Sequence, residues 1–231
     1  MNRVIAGGTG FIGRELGKHF EKQNHQVKVL GRNKNNNPKV IIWDGESLGN
    51  WKNELKGTDV LINLTGKSVD CRYTEKNKKE IFDSRTNSIK VLEKAFNEIG
   101  ETPKTWIQAA TATIYRDEYE KPNNEYEGII GESFSVEVAK KWEKIFDEVS
   151  LETKKVTLRM TIVLGKNGGA FPMLNTLAKF GMGGKQGKGN QYISWIHIHD
   201  LLNIIELSIK NQWVSGVINC SSPEPITNED F

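Results

Sequence analysis

The residues with the clearest chemical potential are the glycines of Gly7-Gly8-Thr9-Gly10-Phe11-Ile12-Gly13. An apolar run, Val4-Ile5-Ala6, precedes them, and Leu16 and Phe20 follow at helical spacing from Ile12. The glycines therefore lie between a short buried strand and a helix. A turn of this kind needs a backbone that can reach positive φ. It also needs no Cβ where a pyrophosphate would approach the free N–H groups at the positive end of the helix. The spacing is Gly-x-x-Gly-x-x-Gly, and it marks Gly7, Thr9, Gly10, Phe11, Ile12 and Gly13 as candidate dinucleotide-binding residues. The alternative is a glycine-rich strand-to-helix turn that binds nothing.

The elements that must position this turn follow in a strand–helix rhythm. A second strand at 26–30 completes a βαβ unit, which implies a parallel sheet. Arg32 stands just past its end, where a carboxylate would hold the ribose hydroxyls of NAD and an arginine accepts the 2′-phosphate of NADP. This favours NADP(H) over NAD(H); the alternative for Arg32 is a solvated loop charge. A third strand at 40–43 ends at Asp44, near the adenine edge in this topology, and a polar helix is expected over 49–56. The fourth strand, 59–64, is almost continuously apolar, as in a central parallel strand. Its end, Leu64-Thr65-Gly66, faces the cofactor, because ligands bind outside the carboxyl ends of such strands.

The remaining pattern predicts a polar stretch over 67–80, a helix from Ile81 to Ile99, and a strand at 106–110 running into Thr111-Ala112-Thr113-Ile114-Tyr115. An acidic loop over 116–132 and a helix over 135–148 come next. One strand is then expected over 156–165, a glycine-rich region with a helix at 172–180, a strand at 192–198, a helix at 200–209 and a last strand at 217–219. The closing residues read as a helix start with Thr227 or Asn228 as N-cap, from which further residues past Phe231 are expected.

Composition excludes several classes. With 231 residues, 37% hydrophobic and 26% charged, the chain suits a soluble globular protein with a sizeable core. A net charge of +3, spread along the chain, argues against nucleic acid as a partner. Cys71 and Cys220 form no pair motif, which sets a reducing cytoplasm as the expected location. No apolar run reaches membrane-spanning length, and the first strand leaves no room for a signal peptide. Oligomeric state is left open. His197-Ile198-His199-Asp200 invites a metal reading, but with four histidines in all and no other ligand cluster, none is expected.

Together with GGTGFIG at 7–13, the segments WDGES (43–47), INLTGKSV (62–69), SRTNS (84–88), TATIY (111–115), LRMTIVLGKNGGAFPML (158–174) and GMGGKQGKGNQYISWIHIHDL (181–201) resemble the extended, epimerase/dehydratase-like short-chain dehydrogenase/reductases. Within them the chain is similar to a subgroup described as NAD(P)-dependent or nucleoside-diphosphate-sugar epimerases, whose members run longer at the C-terminus. The resemblance implies an α/β fold, a Rossmann-type doubly wound parallel sheet with a small C-terminal substrate-binding lobe. The dinucleotide domain is expected over 1–165, with 192–199 and 217–219 returning to it, and a partial, truncated substrate lobe over 166–231.

The resembled enzymes work with a serine or threonine and a Tyr-x-x-x-Lys pair. The lysine and the cofactor's positive charge lower the phenol's pKa so that it can shuttle a proton. Thr111 matches the hydroxyl position; its alternative is a β-branched residue at a strand end. No Tyr-x-x-x-Lys exists in the chain, and Phe134 and Val138 occupy the dyad positions. Tyr115 is the best substitute acid, against a purely structural role at the strand end. On the substrate side, Ile193 stands where the resembled enzymes carry an arginine for the substrate's diphosphate. Lys185 or Lys188 could still meet an anion, and His197 matches a position near the substrate cleft. Two readings result. One is an NADP(H)-dependent epimerase- or dehydratase-like oxidoreductase acting on a small polar or sugar-like substrate with non-standard acid/base residues. The other is a dinucleotide-binding sensor or scaffold without redox chemistry.

Overall fold

The computed structural model describes residues 1–34, 37 and 39–231. In chain order the elements are β1 (Asn2–Ala6), α1 (Phe11–Lys22), β2 (Gln26–Gly31), β3 (Val40–Ile42), a 3-10 turn (Asn50–Leu55), β4 (Val60–Asn63), α2 (Glu75–Ile99), β5 (Thr105–Thr111), a second 3-10 turn (Ala112–Ile114), α3 (Phe134–Asp147) and β6 (Lys154–Met160). These are followed by β7 (Ile162–Gly165), β8 (Gly168–Gly169), α4 (Phe171–Lys179), β9 (Tyr192–Ile193), β10 (Trp195–His197), α5 (Ile198–Lys210), β11 (Gly216–Cys220) and β12 (Ile226–Thr227).

Seven strands form one sheet in the order β11-β6-β5-β4-β1-β2-β3, and every neighbouring pair is parallel. The order reverses between β1 and β4. That reversal opens a crevice at the carboxyl ends of the two strands. Side chains alternate across the central strands. Val4, Ala6 and Leu61 face one core, shared with Ile89, Leu92 and Phe96 of α2 and with Trp142 and Phe146 of α3. Ile5, Val60 and Ile62 face the other, shared with Leu16 and Phe20 of α1 and with Leu201, Ile205 and Ile209 of α5. The sheet is thus covered on both faces, which is why β4 is buried along its whole length. This is the doubly wound parallel architecture expected from the sequence.

Local differences from the expectation have identifiable causes. Helix α2 begins at Glu75, well before its first buried residue, Ile81, because its opening turns face solvent and Thr74 caps it by accepting from the Asn77 N–H. The expected single strand over 156–165 is two. The Thr161 N–H and hydroxyl both donate to the Cys220 carbonyl, at 3.2 and 2.9 Å, and hold the chain at the break. Beyond it, β7 leaves the main sheet to pair with β10 and β8. The expected strand at 192–198 divides likewise, β9 pairing with β12 and β10 with β7. The polar helix at 49–56 is the shorter 3-10 turn. At the end of β12, Thr227 caps a turn rather than a helix: its hydroxyl accepts from the Asp230 N–H at 3.2 Å. Among the described residues, no helix is long and apolar enough to cross a membrane.

Candidate functional site

Three of the four glycines between β1 and the first turn of α1 serve different ends. Gly7 has φ +69°, and a Cβ on it would lie 2.9 Å from the Thr65 backbone, so the turn presses directly on the loop after β4. Gly13 lets α1 dock on the turn, because a Cβ there would lie 2.4 Å from the Gly8 Cα. Gly10 is constrained by neither. It is exposed, and the nearest atom to a Cβ would be the Gly7 carbonyl oxygen at 3.9 Å. Gly10 is the N-cap of α1; among the described residues no side chain caps that end, and the first turn carries no acidic residue. The helix N-terminus is therefore uncapped, open and electropositive.

The other residues of the turn hold its shape. Arg14 Nη1 donates to the Thr9 carbonyl at 2.9 Å, and the Thr9 methyl fills the space that a side chain at Gly31 would need. The Phe11 ring packs on Gly165, Gly168 and Gly169, joining the turn to β7 and β8. Ile12 packs against the core shared by α1 and α5.

At the ends of β2 and β3, exposed Arg32 lines a shallow pocket with Ile42, Trp43, Asp44 and Ser47. Trp51 meets Trp43 edge-on at 5.2 Å and walls the pocket. The Asp44 carboxylate accepts from the Glu46 and Ser47 N–H groups, each at 2.8 Å. Burial opposes its ionisation, but the bonds from Ser47 and Glu46 prevail and hold its pKa below the usual value.

After β4, a buried amide pair fixes the loop. Asn63 Nδ2 donates to Ser88 Oγ at 3.1 Å and to Gln108 Oε1 at 3.0 Å, while Asn63 Oδ1 accepts from the Thr65 N–H at 3.1 Å. The Leu64 N–H donates to the Ala6 carbonyl at 2.9 Å, so Leu64, Thr65 and Gly66 pass beside the glycine turn. Among the described residues, the Thr65 hydroxyl is buried without a partner.

The structure keeps Thr111 and Tyr115 at the end of β5 and engages both hydroxyls. Thr111 caps the 3-10 turn, accepting from the Thr113 N–H at 3.2 Å, and its Oγ1 lies 2.9 Å from that of Thr113. The Tyr115 hydroxyl accepts from Arg159 Nη1 at 2.6 Å and donates to Asn219 Oδ1 at 2.9 Å. Arg159 in turn grips Glu143 with two bonds, of 2.9 and 2.7 Å. That pairing with Glu143, outweighing burial, raises the Arg159 pKa further and keeps the guanidinium charged. Sequence reasoning passed over Arg159, Glu143 and Asn219. The signal for Arg159 was its charge between the apolar Leu158 and Met160; in the fold it is only 8% exposed.

Of the dyad positions, Phe134 is half-buried at the start of α3 and Val138 is buried. Lys185 pairs with Glu229 at 3.2 Å on the surface. His197 caps α5, its Nδ1 accepting from the His199 N–H at 3.3 Å. No group of three or more metal-ligating side chains occurs among the described residues.

An uncapped helix at a glycine turn, set at the reversal of a doubly wound parallel sheet, defines a Rossmann-type protein. Residues 3–221 match the NAD dependent epimerase/dehydratase family, to which the chain belongs. It is 35% identical over 236 residues to the epimerase family protein YfhF of Bacillus subtilis, covering 100% of this chain and 77% of that one. Among solved structures, human epimerase family protein SDR39U1 (isoform 2) with NADPH superposes with a TM-score of 0.86 at 28% identity, covering 100% of this chain and 77% of that one. The nucleoside-diphosphate sugar epimerase of Corynebacterium glutamicum gives 0.82 at 29% identity, with 100% of this chain and 48% of that one covered.

Proposed function

We propose that the protein is an NADP(H)-dependent, epimerase- or dehydratase-like oxidoreductase acting on a small polar or sugar-like substrate. The observation that carries the cofactor half is the open, uncapped α1 N-terminus at Gly10, shaped for a pyrophosphate that would fill the missing cap. Gly7, Thr9, Gly10, Phe11, Ile12 and Gly13 would hold the pyrophosphate, Arg32 and Asp44 the adenosine end, and Leu64, Thr65 and Gly66 the nicotinamide end. When bound, the cofactor supplies or takes up a hydride. Two things support NADP(H): Arg32 at the end of β2, and the NADPH in the human relative's structure. The substrate enters from the side of 166–231, near Lys185 and His197, in a cytoplasmic setting.

Thr111 and Tyr115 supply the hydroxyls in this reading. Thr111 orients a substrate oxygen, and Tyr115 exchanges the proton, with Arg159 and Asn219 holding the hydroxyl in place. A second reading, a dinucleotide-binding sensor without turnover, is favoured by one observation: the donor and acceptor sides of the Tyr115 hydroxyl are already engaged.

Titration of NADPH and NADH into the protein and its Arg32→Asp variant tests the cofactor half. The variant should bind NADPH at least about tenfold more weakly, roughly 1.4 kcal/mol, with NADH affinity little changed. Equal losses for both would end the NADP assignment.

A further inference from the structure

Arg85, in the third turn of α2, turns its guanidinium back over the end of β4. A Cβ on Gly66 would lie 3.2 Å from its Cζ. Nη1 donates to the carbonyls of Lys67 and Ile81, at 3.1 and 2.8 Å. The cation lies 5.0 Å from the centre of the buried Trp142 ring. Tyr73, on the preceding loop, stands edge-on to Phe134 at 5.3 Å and within electrostatic reach of Arg85.

Three lysines of the same segment have carboxylate partners. Lys67 reaches Glu80 and Asn77, Lys78 reaches Glu75, and Lys79 reaches Asp83. Among the described residues no carboxylate forms an ion pair with Arg85, and its partners are two carbonyls on one nitrogen. A guanidinium carries five donors in a fork that fits an oxyanion, and withdrawing it from water without a counter-ion is costly. Burial accordingly depresses its pKa, with Tyr73 acting the other way. In the 166–231 region, Ile193 is committed to the β9–β12 ladder and Lys185 to Glu229, and the sequence there contains no arginine.

We propose that Arg85 is the anion-binding residue of the substrate site, receiving a carboxylate or phosphate oxygen beside Gly66, with the Tyr73 and Phe134 rings as its apolar wall. The substrate class is thereby a small polar molecule bearing an oxyanion. The proposal rests on the dinucleotide-site reading, because Gly66 adjoins the Thr65 segment against which Gly7 packs.

Calorimetric titration of the NADPH-saturated protein with inorganic phosphate, pyrophosphate and malonate, against potassium chloride at matched ionic strength, tests it. Saturable binding of at least one of these is expected, and the phosphate and malonate arms separate the two sources of oxyanion. Arg85→Met should weaken that binding at least about tenfold while leaving NADPH affinity within about twofold, and Arg85→Lys should retain part of it. Equal anion binding by Arg85→Met, or no saturable anion binding by the wild type, overturns the proposal. A parallel loss of NADPH affinity in Arg85→Met also overturns it, by making Arg85 part of the cofactor site. Should Arg85→Met fail to fold, phenylglyoxal labelling of the wild type, mapped by peptide mass, decides. Bound anion should slow modification of Arg85, and an unchanged rate counts against it. Failure of the wild type to bind NADPH would instead sink the dinucleotide reading, and the same labelling of the protein without cofactor would still decide Arg85.

Discussion

Tyr115 is the residue on which the two functional readings divide. Its hydroxyl sits between a guanidinium at 2.6 Å and an amide oxygen at 2.9 Å, and Arg159 is itself anchored by Glu143. These bonds fix the hydroxyl's position, which an acid/base group requires, yet they would equally tie down the end of β5 in a protein with no chemistry. The variant Tyr115→Phe separates the roles because each has its own readout. Loss of the hydroxyl leaves Arg159 and Asn219 one partner short, and stability should fall by about 1–2 kcal/mol in urea unfolding. On whichever aldehyde, ketone or sugar nucleotide the wild type turns over, kcat should fall at least about a hundredfold with NADPH affinity intact. Unchanged turnover with reduced stability would leave Tyr115 a structural residue. At this scale the sequence was legible where local spacing sets the chemistry, as at Gly7, Gly10 and Gly13. It marked Arg85 only as part of SRTNS and gave it no role, because its partners Gly66 and Lys67 lie 19 and 18 positions away and meet it only once α2 folds back on β4.

At the scale of elements, period and apolar runs located most strands and helices, and the misses fall where long-range contacts decide. Nothing in the run at 156–165 marks a break, because the break is made by Thr161 bonding to a carbonyl on β11. Nor does the polar stretch at 67–80 reveal that α2 has begun, because exposed helical turns have no apolar period. The β1–α1 unit offers the sharpest test of an element by its glycines. Gly13→Ala would force a Cβ to within 2.4 Å of the Gly8 Cα, so α1 must shift along its axis or away from the turn. The expected cost is about 1–3 kcal/mol, accompanied by weaker NADPH binding as the helix N-terminus moves. Gly17 lies in the same helix with nothing within 4 Å of its would-be Cβ. Gly17→Ala should therefore stabilise the protein by about 0.5–1 kcal/mol with no change in NADPH affinity. Equal effects at the two positions would show that helix propensity, not docking, governs this unit.

For the whole molecule, what matters is how the helices on one face lock across the sheet, and here the decisive contact is polar. Glu206 on α5 accepts from Gln23 Nε2 at 2.8 Å, lies 2.6 Å from His19 Nε2 on α1, and pairs with Lys210 at 3.0 Å. Arg3 of β1, stacked on Phe20, lies within its electrostatic reach, as does His25. Burial works against its ionisation, but the bonds from Gln23, Lys210 and His19 prevail and hold its pKa at about 2. A carboxylate whose pKa falls on folding stabilises the native state above its unfolded value near 4.3, and that stability drains away as pH drops through the folded value. Glu206 should therefore contribute roughly 2–3 kcal/mol at neutral pH and progressively less between about pH 5 and pH 2. In Glu206→Gln this contribution is absent at every pH. Urea midpoints measured from pH 7 to pH 2.5 should lie lower than wild type at neutrality and converge with it toward the acid end. Asp44 and Asp59, also held below their usual values, remain in both proteins and give both curves a common acid slope, so the diagnostic is the difference between them. A constant gap across the range would mean that Glu206 acts through packing alone, and that the α1–α5 lock owes nothing to its charge.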